Sequence, residues 1–207
     1  MAKKLIVSLS PHVHSTDSVQ RNMYGVCIAL IPALLTSLIF FGLGAVIVLA
    51  TSVLACVFFE WAINAYILKR DNLTITDGSA ILTGLLLGFN LPSNLPIWII
   101  LIGALVAIGI GKMTFGGLGC NPFNPALVGR VFLLVSFPVQ MTTWPVPGNL
   151  TAYLDAETAA TPLSIMKGAI KAGDPLVLEQ LPDSLSLLIG QTGGCLGEVS
   201  ALALLIG

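Results

Sequence analysis

Between residues 24 and 68 the chain carries one charged side chain, Glu60. A helix needs only about 20 apolar residues to cross the hydrocarbon core of a bilayer, so this run is long enough for two. Gly42 and Gly44 supply a tight connection within it, and the run reads as two spans, 24–41 and 42–68. A backbone removed from water must satisfy its own hydrogen bonds, which makes helices the expected element throughout. Composition closes the soluble alternatives. Only 9% of the residues are charged and 56% are hydrophobic, whereas a soluble domain carries roughly 25% charged residues. Such a chain cannot cover a water-facing surface, and an ordinary cytosolic enzyme is excluded. Nine Lys+Arg against ten Asp+Glu also exclude a basic nucleic-acid binder.

Four further apolar stretches follow. A short third span, 79–89, ends at a turn over 91–96 that contains Pro92 and Pro96. The fourth runs over 97–110, and the fifth starts after Asn124-Pro125 and ends near Pro138. After a polar segment, a sixth begins around Ser184, is broken by Gly193-Gly194, and is still apolar at Gly207. The expected fold class is an all-α, polytopic helical membrane protein of five spans plus the start of a sixth, with short or broken helices. Residues 1–23 form an N-terminal tail, 24–138 the first five spans, 139–183 an outward-facing loop and 184–207 the beginning of the sixth span. Because the last stretch lacks a closing charge, we expect a shortened chain or one part of a larger bundle. Spans interrupted by Gly and Pro are the mark of transporter-like folds whose broken helices build a site inside the membrane.

Orientation follows from the positive-inside rule. Lys3, Lys4 and Arg21 precede the first span, Lys69 and Arg70 follow the second, and Lys112 and Arg130 flank the turn between the fourth and fifth. With five crossings all seven fall on one side. The uncharged connections at 42–44 and 90–96 fall on the other, together with the loop 139–183, which holds two Lys against five acids. The N-terminus is therefore expected in the cytoplasm. It is no signal peptide, since Ser8, Ser10, His12, His14 and Asp17 interrupt it before an apolar core forms.

The loop contains the densest chemistry, Asp155-Ala156-Glu157-Thr158-Ala159-Ala160-Thr161-Pro162. Pro162 biases Thr161 toward extended backbone, and apolar residues at 163, 166 and 170 suit a short amphipathic helix. Thr161 is then its N-cap and Pro162 its first residue. That alone accounts for the pattern. The same geometry also suits a phosphate esterified to Thr161, because free N–H groups and the dipole at a helix N-terminus favour negative charge. Ala159 and Ala160 leave room for an adduct.

A second dense segment is Gly116-Gly117-Leu118-Gly119-Cys120-Asn121-Pro122-Phe123-Asn124-Pro125. Glycines let backbone approach a ligand closely, and successive N–H groups can form an anion-binding nest. Asn124-Pro125 reads as another N-cap and first residue, and two asparagine amides suit a flat heterocycle with paired C=O and N–H edges. Lys112 precedes the glycines, so this is not a Walker P-loop. A tight connection between close-packed spans is the alternative.

These segments resemble a known family. Asp-x-x-Ser/Thr-Gly-Ala-Thr, matched here by Asp155, Thr158, Ala160 and Thr161 with Ala159 in place of glycine, is similar to the site where a flavin transferase attaches FMN to threonine. It occurs in the RnfD/NqrB family, whose members are membrane proteins of the Rnf electron-transport complex and of its relative, the sodium-pumping NADH:quinone reductase. The Gly-rich segment resembles the same family's Gly-Gly-x-Gly-x-Asn-x-x-Asn-Pro-Ala, as do Ser10-Pro11-His12, Asp77-Gly78-Ser79-Ala80 and Thr83-Gly84-Leu85-Leu86-Leu87. The resemblance implies FMN joined to Thr161 by a phosphoester. It also implies a second, non-covalent flavin, such as riboflavin, beside Asn121 and Asn124, with Gly116 and Gly117 in the surrounding turn. The implied role is electron transfer, as one part of an ion-translocating ferredoxin:NAD oxidoreductase (Rnf complex) in the bacterial inner membrane, not as a complete enzyme alone. Its implied partners are the other membrane and peripheral subunits of that complex and the flavin transferase. The rivals are a channel or broken-helix transporter without flavin, and an assembly scaffold.

The remaining candidates are weaker. Glu60 lies about 27 Å along a helix from Gly42, near the inner interface, where a surface or packing role competes with an ion path; Glu198 in the sixth span is comparable. Gly84 and Gly88 form a small-xxx-small pair suited to helix packing. Cys27, Cys56, Cys120 and Cys195 form no CxxC pair and read as buried structural thiols. His12 and His14 are too few and too terminal for a metal site, and no histidine lies beyond position 14 to build a catalytic triad.

Overall fold

The computed structural model describes residues 17–69, 74–148, 150–154, 157–158, 160–172 and 181–207. Lys3, Lys4, Arg70, both histidines and the Ser10-Pro11-His12 match lie outside them. Among the described residues the secondary structure is helical, with one isolated β-bridge, Pro145 to Thr158. Two helical stretches, 19–67 and 97–115, are long and apolar enough to cross a membrane, and two shorter apolar helices accompany them.

Helix α1 (Val19–Ala29) starts at Ser18, whose Oγ accepts the Arg21 N–H at 3.1 Å. Helix α2 (Ile31–Ala62) follows Leu30, with Pro32 in its first turn, where a missing N–H costs nothing. At Gly42 the backbone leaves the helical region, with φ +50° and ψ −123°. This is a reversal of direction. On one arm the Tyr24 ring lies over Gly78, and on the other Glu60 reaches Ser79 through Lys112. A straight helix would hold residues 24 and 60 roughly 54 Å apart, yet both meet the start of helix α3 (Ser79–Phe89). Near the bend, Gly44 lies against Ser93, and the Leu43 N–H donates to the Leu150 carbonyl at 2.8 Å. The connection expected at Gly42–Gly44 is therefore a helical hairpin.

Helix α3 packs into the second arm of that hairpin. A Cβ on Gly84 would stand 2.6 Å from Val53 Cα, and the Ser52 hydroxyl donates to the Gly84 carbonyl at 2.8 Å. The small residues thus allow close backbone approach, as the spacing of Gly84 and Gly88 suggests. Helix α4 (Ile97–Leu105) continues as a π-helical turn, Val106–Ile110, just as α2 continues as Ile63–Ile67. Helix α5 (Pro125–Ser136) is capped by Asn124, whose Oδ1 accepts the Ala126 N–H at 3.0 Å. Short α6 (Pro138–Met141), then α7 (Pro162–Ala172), α8 (Ser184–Ile189) and α9 (Ala201–Ile206) complete the order.

One expectation is refined and another corrected. The turn over 90–96 is a connection buried within the protein: Leu91 and Leu95 have no accessible surface, and Ser93 is buried. Helix α3 is a half-length helix ending inside the protein, and its last carbonyls need partners there. Leu196 N–H donates to Leu91 O at 3.2 Å and Gly197 N–H to Phe89 O at 2.9 Å, while the Tyr153 hydroxyl donates to Leu95 O at 2.6 Å. The sixth stretch is also broken over a longer distance than Gly193-Gly194. Gly190, at φ +103°, ends α8, and helix resumes only at Ala201. Between them Cys195, Leu196, Val199 and Ser200 are buried, so the segment re-enters the protein and covers the end of α3.

The core runs from Phe41, Ala45 and Val48 of α2 through Leu87, Ile99, Ile100 and Ala104 to Leu133 of α5. Many large apolar side chains point outward instead, among them Leu54 at 69% and Val135 at 77% exposure. An apolar exterior of that kind suits hydrocarbon, not water.

Candidate functional site

At one end of the bundle, the local sequence builds a helix start around Thr161. Its Oγ1 accepts the Ser164 N–H at 3.3 Å, its carbonyl accepts the Ser164 hydroxyl at 2.7 Å, and Pro162 opens α7. The expected N-cap is present. The apolar stripe of α7 does not pack on the protein, however, because Leu163, Met166 and Ile170 are exposed. Thr158 is pinned by the bridge to Pro145 and by the Val146 N–H, which donates to the Glu157 carbonyl at 2.8 Å. Asp155 and Ala159 lie outside the described residues. Nearby Tyr153 is half-buried, and burial pushes its hydroxyl above the usual tyrosine range.

Two cavities flank this helix start. One, of about 390 Å³, is lined by Thr161, Arg130, Trp144, Cys195 and Glu198 among others. The other, of about 580 Å³, includes Phe40, Ala160, Ile165 and Gln191, and shares Pro162, Thr192 and Gly193 with the first. Arg130 follows the turn between the fourth and fifth spans in sequence, but its side chain does not bond to that turn. It extends into the protein, donating from Nη1 to Asn90 Oδ1 at 2.6 Å and from Nη2 to Cys195 Sγ at 3.6 Å. Asn90 in turn donates to the Leu86 carbonyl at 2.7 Å, closing the end of α3. The donor set fits a phosphorylated, electron-accepting heterocycle: an esterifiable hydroxyl at a helix N-terminus, a guanidinium in the same cavity, and Trp144 beside them.

At the other end, Asn121 and Asn124 line one cavity of about 370 Å³ with Ser79, Thr83, Lys112 and Phe123. Their amides are partly committed. Asn124 Oδ1 caps α5, and Asn121, oriented with Nδ2 toward the turn, donates to Gly117 O at 2.9 Å and Lys112 O at 3.0 Å. Asn124 Nδ2 has no hydrogen bond among the described residues, which leaves one amide donor on the cavity wall for a heterocyclic edge. The glycines serve the turn itself. Gly116, Gly117 and Gly119 all have positive φ, and the Gly116 and Gly117 N–H groups donate to Met113 O and Lys112 O. Two N–H groups of the expected anion-binding nest are thus spent on backbone carbonyls.

No local pattern in the sequence announces what stands behind this cavity. Lys112, read there as a flanking surface charge, is 2% exposed and donates from Nζ to Glu60 Oε2 at 2.6 Å and to Ser79 Oγ at 2.5 Å. The Ser79 hydroxyl donates to Asp77 Oδ1 at 2.5 Å. Glu60 is fully buried, so it has no surface role. The four residues join α2, α3 and the end of α4 in one polar network, as buried charges require. Two cysteines are also corrected: Cys120 is exposed and Cys27 is only partly buried, whereas Cys56 and Cys195 are buried as expected.

Sequence comparison places these features in a family. The model of the NQR2, RnfD, RnfE family matches residues 6–207. The chain belongs to that family. It is similar to the D subunit of the Na(+)-translocating ferredoxin:NAD(+) oxidoreductase complex of Acetobacterium woodii, with 45% identity over 98% of this chain and 60% of that protein. It is similar to the D subunit of the proton-translocating ferredoxin:NAD(+) oxidoreductase complex of Clostridium ljungdahlii, at 42% identity over 97% and 60%. The D subunit of the ion-translocating oxidoreductase complex of Rhodobacter capsulatus is 40% identical over 95% and 60%. The chain thus spans 60% of the length of these curated relatives. Family membership and the apolar helices together give a membrane location.

Proposed function

We propose that this chain belongs to the membrane subunit that relays electrons in an ion-translocating ferredoxin:NAD oxidoreductase of the Rnf type, with FMN esterified to Thr161. The observation that carries the reading is the placement of Thr161 Oγ1 at the start of α7, on a cavity it shares with Arg130. The α7 N-terminus stabilises the phosphate, Thr158 and Ala160 form the adjoining stretch of the attachment loop, and Asp155 completes the matched motif. Bound FMN supplies reversible electron transfer, and the protein orients it and sets its potential. Asn121 and Asn124, beside the Gly116-Gly117 turn, hold a second flavin without a covalent bond. The N-terminus lies in the cytoplasm of the bacterial cell, and the loop 139–183 faces outward, where the flavin transferase reaches it. Lys112 and Arg130 no longer count toward this orientation, but the other five basic residues still outnumber the two in the loop. Ferredoxin and NAD chemistry belongs to partner subunits.

Intact-mass measurement on protein made together with the flavin transferase tests the reading. The expected result is a gain of one FMN less one water, abolished by Thr161→Val. A broken-helix transporter without flavin is the second reading, favoured by the buried Glu60–Lys112 pair. An unmodified mass under these conditions would favour it or the assembly scaffold over the flavin relay.

A further inference from the structure

Arg130 stands more than a helical turn inside α5, and its guanidinium is held in the wall of the Thr161 cavity by Asn90 and Cys195. The start of α7 offers its N–H groups to the phosphate of a Thr161 adduct, which leaves this second positive group in the same cavity available to the remainder of the adduct. Glu198 lines the same cavity with the opposite charge. An arginine fixed in the wall of a cavity at the end of an apolar bundle is a candidate functional group by default.

We propose that Arg130 is a positioning residue that sets the redox potential of the flavin at Thr161 by stabilising its negatively charged reduced ring, with Glu198 opposing it. The assignment rests on the attachment reading above. The oxidised ring system is neutral. Uptake of two electrons from an external donor and one proton from solvent would leave one negative charge on it, and a fixed guanidinium in the same cavity favours that form. Asn90 fixes the direction of the guanidinium, and Cys195 lies beside it at the re-entrant segment. A neighbouring unit charge shifts a charge-forming equilibrium by roughly one to three powers of ten, which is the size of effect expected.

The test is a spectroscopic reductive titration with dithionite of the FMN-bearing chain in lipid nanodiscs, after removal of dissociable flavin. FMN content is checked by mass in every variant. At a fixed solution potential, Arg130→Gln is expected to raise the ratio of oxidised to reduced flavin by roughly tenfold or more. Arg130→Lys, which keeps the charge, restores most of the shift, and Glu198→Gln moves the ratio in the opposite direction. A titration unmoved in Arg130→Gln, or an equal loss in Arg130→Lys, overturns the assignment. If Arg130→Gln does not fold, Glu198→Gln decides, and an unmoved titration there overturns it. Absence of the FMN mass from the unsubstituted chain defeats the attachment reading itself, whereas FMN present with unmoved potentials defeats only the role of Arg130.

Discussion

Lys112 and Glu60 show how a residue can be read correctly by type and wrongly by place. Lys112 borders a turn and Glu60 lies near a span end, so each reads as an interfacial charge. Their pairing across 52 positions of sequence leaves no periodic trace, because it depends on α2 doubling back beside α4. The energetic consequence is asymmetric. Lys112→Met removes the ammonium and leaves a buried carboxyl, at a cost of about 3–5 kcal/mol. The double variant Lys112→Met, Glu60→Leu is expected to recover most of that loss, as measured by unfolding in mixed micelles. At the same end, Asn121→Leu with Asn124→Ser, which keeps a helix cap, is expected to deplete dissociable flavin while leaving the covalent FMN mass unchanged. Flavin released by denaturation and counted by absorbance checks this. Thr161 is the more legible residue, since an N-cap is a local property set by Thr161, Pro162 and the helix that follows.

The elements are legible where chemistry is local and obscure where partners are distant. Helix α3 occupies 79–89, and α4 with its π-helical turn occupies 97–110, as the apolar stretches and their flanking Gly and Pro indicate. The buried turn over 90–96 and the long break over 190–200 are not legible, because each hides the backbone groups of the other. Glycine separates the two situations experimentally. Gly42 has φ +50°, and an added Cβ would collide with the Leu150 backbone, so Gly42→Ala is expected to destabilise by well over about 1 kcal/mol. Gly25 lies within α1 with nothing within 4 Å of its missing Cβ, and Gly25→Ala is expected to be neutral or to stabilise by up to about 1 kcal/mol. Comparing the two unfolding midpoints distinguishes a hinge from an ordinary helical position.

For the whole molecule, the scarcity of charge makes the class of protein clear, while sidedness depends on few residues. Of the basic residues used to assign it, Lys112 is buried and Arg130 is part-buried and tied to Asn90. Labelling of intact cells provides the independent check. Cys120 is the exposed native thiol among the described residues and is expected to react with a membrane-impermeant maleimide only after the cells are opened. A thiol introduced by Lys167→Cys on α7 is expected to react in intact cells. The reverse pattern would place Thr161 in the cytosol and remove the flavin transferase's access to it.

Helix α5 carries Asn124 and Pro125 in the lining of one cavity and Arg130 in the lining of the other. Asn124 and Arg130 are six positions apart, roughly 9 Å along the axis. One rod thus forms part of the wall of both chambers, and any sliding of it must alter both rooms in the same stroke.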